Sequence, residues 1–162
     1  TQDQIAYYPE FEKEKVVWAE TDQALNTVIV SSKFYLQKTC FMIISSMPRI
    51  INALLNSQLT QWYIRIKSSN LGSKGMSLTK EAVQEIPIPP ITTSNQPIVE
   101  QIEALVDKIL ASHASAGSAT DAEFIEASVS HADTSEWERE IDRLVYQLYD
   151  LTEEEIRIIE NK

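Results

Sequence analysis

Cysteine occurs once in this 162-residue chain, at Cys40, so no internal disulfide can form. With only His113 and His131 beside it, no ordinary zinc ligand set can be assembled. A lone cysteine suits a reducing compartment, and a cytoplasmic location is expected. Long apolar runs are also lacking. The longest candidate, Phe41 to Ile44, is far short of the roughly 18 residues a spanning helix requires, so no membrane partner is expected. Glycine is scarce, with three in all. Gly72 and Gly75 form a GxxG, but no Walker loop and no third glycine of a dinucleotide fingerprint accompany them. The opening Thr1-Gln2-Asp3-Gln4 has neither an initiator Met nor a basic-then-apolar signal pattern, and the sequence reads as a piece of a longer protein.

One further absence concerns charge of a single sign. From Gln23 to Lys80 there is no Asp or Glu, whereas seven bases occur: Lys33, Lys38, Arg49, Arg65, Lys67, Lys74 and Lys80. The whole chain carries a net charge of -10, which conceals this local excess. Residues 1–80 sum to +3 and residues 81–162 to -13, so a polyanion could approach only the first half.

What is present reads as an α+β fold. Val16-Val17-Trp18, Thr27-Val28-Ile29-Val30 and Thr39 to Ile44 are short β-rich runs close in sequence, and they predict an antiparallel meander. The period then changes. Ser46 is placed to cap a helix beginning near Pro48, along which Ile50, Ile51, Leu54, Leu55, Leu59, Trp62 and Tyr63 keep one apolar stripe for four turns. Arg65 and Lys67 suit the C-terminal end of its dipole, and the stretch from Ser68 to Gly75 breaks it. Glu81 to Glu85 allows one helical turn, and Ile86-Pro87-Ile88-Pro89-Pro90 is a stiff, non-helical exit. Ser94 or Asn95 then caps a second helix with the stripe Ile98, Val99, Ile102, Leu105, Val106, Ile109 and Leu110. Ala111 to Thr134 is small and polar and reads as a mobile connection, with at most a short helix started by Thr120 and Glu123. Ser135 with Glu138, and Thr152 with Glu155, are capping-box signatures that open two final helices.

The chemistry these residues offer is binding rather than catalysis. Both histidines lie far in sequence from Cys40, and the carboxylates cluster in the C-terminal helices at spacings typical of solvated faces. In contrast, Lys67 to Lys80 is dense in donors, with glycines that let backbone N–H groups approach a phosphate. The same composition also suits an ordinary solvated connection. Trp18, Trp62 and Tyr63 could stack on bases or pack in the core. The candidate contacts to DNA are Lys33, Lys38, Thr39, Arg65, Lys67, Asn70, Ser73, Lys74, Ser77 and Lys80.

Four motifs occur in the order seen in one family: Lys15-Val16-Val17-Trp18-Ala19-Glu20, Lys38-Thr39-Cys40-Phe41-Met42-Ile43, Leu54-Leu55-Asn56-Ser57-Gln58-Leu59 with Trp62-Tyr63, and Glu85-Ile86-Pro87-Ile88-Pro89. In this order they resemble the TaqI-like C-terminal specificity domain, the target-recognition part of adenine-specific DNA methyltransferases and type IIG restriction–modification enzymes. The tail from Ile141 to Ile156 resembles the ending common to these polypeptides. One departure is that this chain has Met76 and Ser77 where relatives often carry a further base.

The resemblance implies a DNA target-recognition domain over residues 1–92, a small antiparallel or mixed sheet with a packed helix. A helical spacer of two or three hairpin-like helices follows over 93–162, with a mobile segment at about 112–134. It further implies a non-catalytic specificity part. No cofactor would bind here; S-adenosylmethionine, and Mg2+ if a nuclease is present, would belong to domains upstream. The partners implied are double-stranded DNA and the upstream methyltransferase domain of the same polypeptide, and the amphipathic helices also allow self-association. The alternative, from the residues alone, is a protein–protein interaction or scaffold module that uses those helices.

Overall fold

The computed structural model describes residues 8–31, 35–116 and 133–161. Their elements, in chain order, are α1 (Tyr8–Phe11), β1 (Lys15–Ala19), β2 (Thr21–Asp22), β3 (Thr27–Val30), β4 (Cys40–Ile43), α2 (Pro48–Asn56), α3 (Gln58–Lys67), a 3-10 turn (Gly72–Lys74), β5 (Met76–Ser77), α4 (Lys80–Gln84), α5 (Gln96–Ala116), α6 (Ser135–Leu148) and α7 (Glu153–Glu160). The chain is thus α+β, as the change of period predicts. All strand pairs are antiparallel.

The expected meander is corrected. The sheet order is β3-β1-β4, so the first strand lies in the middle and β4 pairs with β1 instead of β3. Val17 faces Val28 on one side and Met42 on the other. The reason lies in burial. Lys15 to Trp18 are all buried, and a buried strand must satisfy both of its backbone edges. The shorter β3 and β4 take the edges, where unpaired groups can meet water.

The predicted four-turn helix is two helices. Ser57 adopts an extended ψ of 154°, caps the α2 C-terminus, and accepts the Thr60 N–H at 3.3 Å as N-cap of α3. Its hydroxyl and that of Thr60 both donate to the Leu54 carbonyl, at 2.7 and 2.6 Å. Local side-chain bonding therefore overrides a stripe that is continuous in sequence. Ser46 is not the cap of α2. Met47 holds that position without a side-chain bond, and Pro48 leaves one donor fewer to satisfy. At α6 the expected Ser135–Glu138 box is likewise absent: Thr134 is the N-cap residue, its hydroxyl meets Glu138, and Ser135 bonds Asp133. The Thr152–Glu155 box forms as predicted. The α5 helix runs past Leu110 to Ala116, while Lys33, His131 and the short helix expected to start with Thr120 and Glu123 lie outside the described residues.

A single core joins these parts. Val16 and Trp18 of β1 pack with Ile50 and Leu54 of α2, Val99, Ile102 and Val106 of α5, and Ile141, Leu144 and Val145 of α6. The apolar stripes of α5 and α6 thereby bury each other as well as α2. The proline exit is pinned by tyrosines, with Tyr63 Oη donating to the Glu85 carbonyl and Tyr149 Oη to that of Pro87. No helix among the described residues is long and apolar enough to cross a membrane.

Asp142 on α6 departs from the solvated-face pattern. Its Oδ1 accepts the Gln58 N–H at 2.8 Å, at the N-terminus of α3. Burial pushes its carboxyl up to about 6 from 3.8, with Glu160 and Glu138 adding to the shift and the Gln58 N–H opposing it. A raised acid favours the protonated folded state, so this contribution to stability is full below about pH 4 and is lost as the pH rises through about 6. In urea unfolding, Asp142→Asn should gain on the wild type across that window, because the amide oxygen can still accept from Gln58. A difference that stays constant from pH 4 to 7 would contradict the assignment.

Candidate nucleic-acid interface

Not every base in the first half of the chain is available. Lys15 is fully buried, and its Nζ donates to the carbonyls of Phe11, Lys13 and Ser31 at 2.9, 2.9 and 3.4 Å. Arg49 bridges Glu14 at 3.0 Å and Asp107 at 2.6 Å, tying the approach to β1, α2 and α5 together. Those carboxylates hold its guanidinium above the usual range. Lys38, Arg65, Lys67, Lys74 and Lys80 are exposed and form no ion pair among the described residues. The sequence counts seven bases alike, whereas the fold separates a structural arginine from five exposed cations that form no ion pair among the described residues.

The backbone brings these five cations onto connected elements. Ser69 and Ser77 face each other through the Ser77 N–H at 3.0 Å, Asn70 bridges to Met76, and Leu71 N–H donates to the Gly75 carbonyl at 2.8 Å. Residues 69–77 therefore form a hairpin whose end is the 3-10 turn bearing Lys74. It starts directly after α3, whose last turn carries Arg65 and Lys67. The Lys67 ammonium lies 5.7 Å from the centre of the Tyr63 ring. Glu20 joins this hairpin to the turn before β4, because its N–H donates to the Thr39 carbonyl and its own carbonyl accepts the Leu78 N–H, both at 2.8 Å. The Lys38–Thr39 turn and the Ser77–Lys80 segment thus flank one residue. Trp18 in the core fixes the same place from beneath, its Nε1 donating to the Leu78 carbonyl at 2.9 Å.

Of the predicted contacts, Lys38, Thr39, Ser73, Lys74 and Lys80 are exposed on these connected elements and Ser77 is half-buried. Asn70 is exposed, but its Oδ1 accepts the Gly72 N–H, which leaves its NH2 group for outward bonding. The role of the β2 segment could not be seen in the sequence. Thr21 and Asp22 pair with Ser77 and Met76, which sets two carboxylate residues, Glu20 and Asp22, beside a stretch that contains none. Both Asp22 oxygens are engaged by Gln23 N–H and Asn26 Nδ2 within the β2–β3 turn. Gln23 in turn holds the hairpin end through the Ser73 carbonyl. Leu71, exposed beside the turn, is another residue that no sequence pattern singles out.

The two glycines of the hairpin differ. Gly72 has φ of 67° with open space around it, whereas Gly75 has φ of 96° and backs onto the Asp22 and Gln23 backbone, where a Cβ would overlap the Asp22 carbonyl. Gly72→Ala should cost about 1–2 kcal/mol, the usual strain of a left-handed residue. Gly75→Ala should cost about 2–4 kcal/mol and open the β2–β5 pairing. Urea midpoints of the two variants test this, and equal losses would remove Gly75 as the point of close approach to Asp22.

No curated protein matches this chain. Residues 2–88 match the model of the TaqI-like C-terminal specificity domain, and the chain belongs to that family.

Proposed function

We propose that this chain selects a short sequence in duplex DNA as the specificity part of a restriction–modification enzyme. The observation that carries the proposal is the set of five exposed cations, with no ion pair among the described residues, on elements joined by backbone hydrogen bonds, within a chain of this family. Phosphates are met by Lys38, Arg65, Lys67, Lys74 and Lys80, with Lys33 as a further candidate, and these contacts set register without reading sequence. Thr39, Asn70, Ser73 and Ser77 supply short donors and acceptors for base edges. In this reading residues 1–92 read DNA and 93–162 serve as the helical spacer. An adenine-N6 methyltransferase of type IIG organisation, and a nuclease where one exists, lie upstream and bind S-adenosylmethionine and Mg2+. The specificity part then holds the duplex while the target adenine is turned out of the stack. The setting is cytoplasmic.

In the alternative, a helix-mediated interaction module, the centres of the α5 and α6 stripes are already spent within the chain. Val99, Ile102 and Val106 are at most 3% exposed because α5 and α6 cover each other.

Binding to a labelled duplex pool at low salt tests the interface. Charge reversal at Lys38, Lys67 and Lys74 should weaken binding and flatten the slope of log K against log salt by about 0.9 for each phosphate no longer neutralised. Arg49→Gln should leave that slope unchanged, since its guanidinium is held by Glu14 and Asp107. Equal slopes for the wild type and the triple variant would sink the assigned surface.

A further inference from the structure

Leu71 stands out on the hairpin because it is 43% exposed while its backbone is fixed. Its N–H is bonded to Gly75, the preceding Asn70 is bridged to Met76, and the following Gly72 N–H is held by Asn70 Oδ1. The hairpin itself is clamped on β2 by the close approach of Gly75 to Asp22 and by Gln23 on the Ser73 carbonyl. An exposed leucine on a mobile loop means little, but here the hydrogen bonds on both sides of Leu71 hold its backbone in the hairpin. Its exposed hairpin neighbours are polar or basic: Asn70, Ser73 and Lys74. One apolar group amid donors is too small a patch for a protein interface. It does match the major-groove edge of a T·A pair, where the C5-methyl of thymine lies beside the O4 acceptor.

We infer that Leu71 is a specificity-determining residue that packs on a thymine methyl group, with the hairpin of residues 69–77 entering the major groove. The inference rests on the DNA-recognition reading above and adds a base class to it. The hairpin is the reading element, and the cations at its root and end set how deep it sits. The direction of discrimination follows: replacing that T·A pair by C·G, or removing the methyl, weakens binding through Leu71, whereas phosphate contacts do not register the change.

The test begins with selection of bound duplexes from a random-sequence pool, using the whole chain and Leu71→Ala. The wild type should select a motif, and the variant should lose preference at one T·A position of it. Each thymine of the motif is then replaced by deoxyuridine, which deletes only the methyl. At the contacted position the wild type should lose about fourfold in affinity, the factor expected for burying one methyl group. Leu71→Ala should show no loss there, and Leu71→Met, which keeps an apolar end, should retain most of it. Circular dichroism checks that the variants are folded. If the wild type selects a motif that Leu71→Ala selects unchanged, with the same deoxyuridine losses, the inference is overturned while the DNA-recognition reading stands. If the wild type selects no motif and charge reversal at Lys67 and Lys74 leaves pool binding unaltered, both are overturned.

Discussion

The strand Lys15–Ala19 is buried from Lys15 to Trp18 and paired along both edges, and most of the structure follows from that enclosure. Its two edges are taken by β3 and β4, and Val16 and Trp18 enter the core built with α2, α5 and α6. Even its charged residue is absorbed. Burial holds the Lys15 ammonium below its ordinary pKa, and three backbone carbonyls around it replace the water it has lost. Those carbonyls come from Phe11, Lys13 and Ser31, so a single side chain closes the end of α1 and the end of β3 over the strand. An unpaired ammonium there would cost several kcal/mol, which makes this bonding a condition of the fold rather than an addition to it.

The cation-bearing elements are tied to this strand. Trp18 crosses from the core to the Leu78 carbonyl, and the chain leaving β1 continues through Glu20 into β2, which pairs with β5. Amide side chains extend the same scaffold. Gln61 bonds both backbone groups of Leu25, and Asn52 and Asn56, one helical turn apart on α2, bond Thr27. A turn that looks irregular in sequence thus has its buried donors and acceptors satisfied by two helices. The hairpin of residues 69–77 rests on that turn, so side chains at its end are presented from fixed backbone. A fixed backbone is what base discrimination of about 1–3 kcal/mol per contact demands.

Charge shows how far composition can carry a reading. The acid-free stretch from Gln23 to Lys80 points to the half of the chain that holds the exposed cations, and five of its bases form no ion pair among the described residues. Yet Arg49 belongs to an ion-pair bridge, Lys15 lies in the interior, and Glu20 and Asp22 return to that stretch by strand pairing. Pairings over long sequence separations decide which charges face solvent, and no count along the chain contains them. Asp142 shows the same thing in reverse: its helical spacing suggests a solvated carboxylate, but it sits half-buried against the start of α3.

The sequence by itself determined the kind of elements and their chemistry. Short β-rich runs and 3.6-residue apolar periods set strands and helices, the prolines kept residues 87–90 out of helix, Thr152 with Glu155 set a cap, and the ordered motifs indicated the family, because each of these is a local property of the chain. Tertiary structure alone decided the rest. The place of β1 between β3 and β4 follows from which backbone edges can be buried. The seating of the hairpin follows from the room that a missing Cβ at Gly75 leaves for Asp22. Each of these depends on groups brought together in space, and it is these contacts that turn a basic segment into a shaped surface.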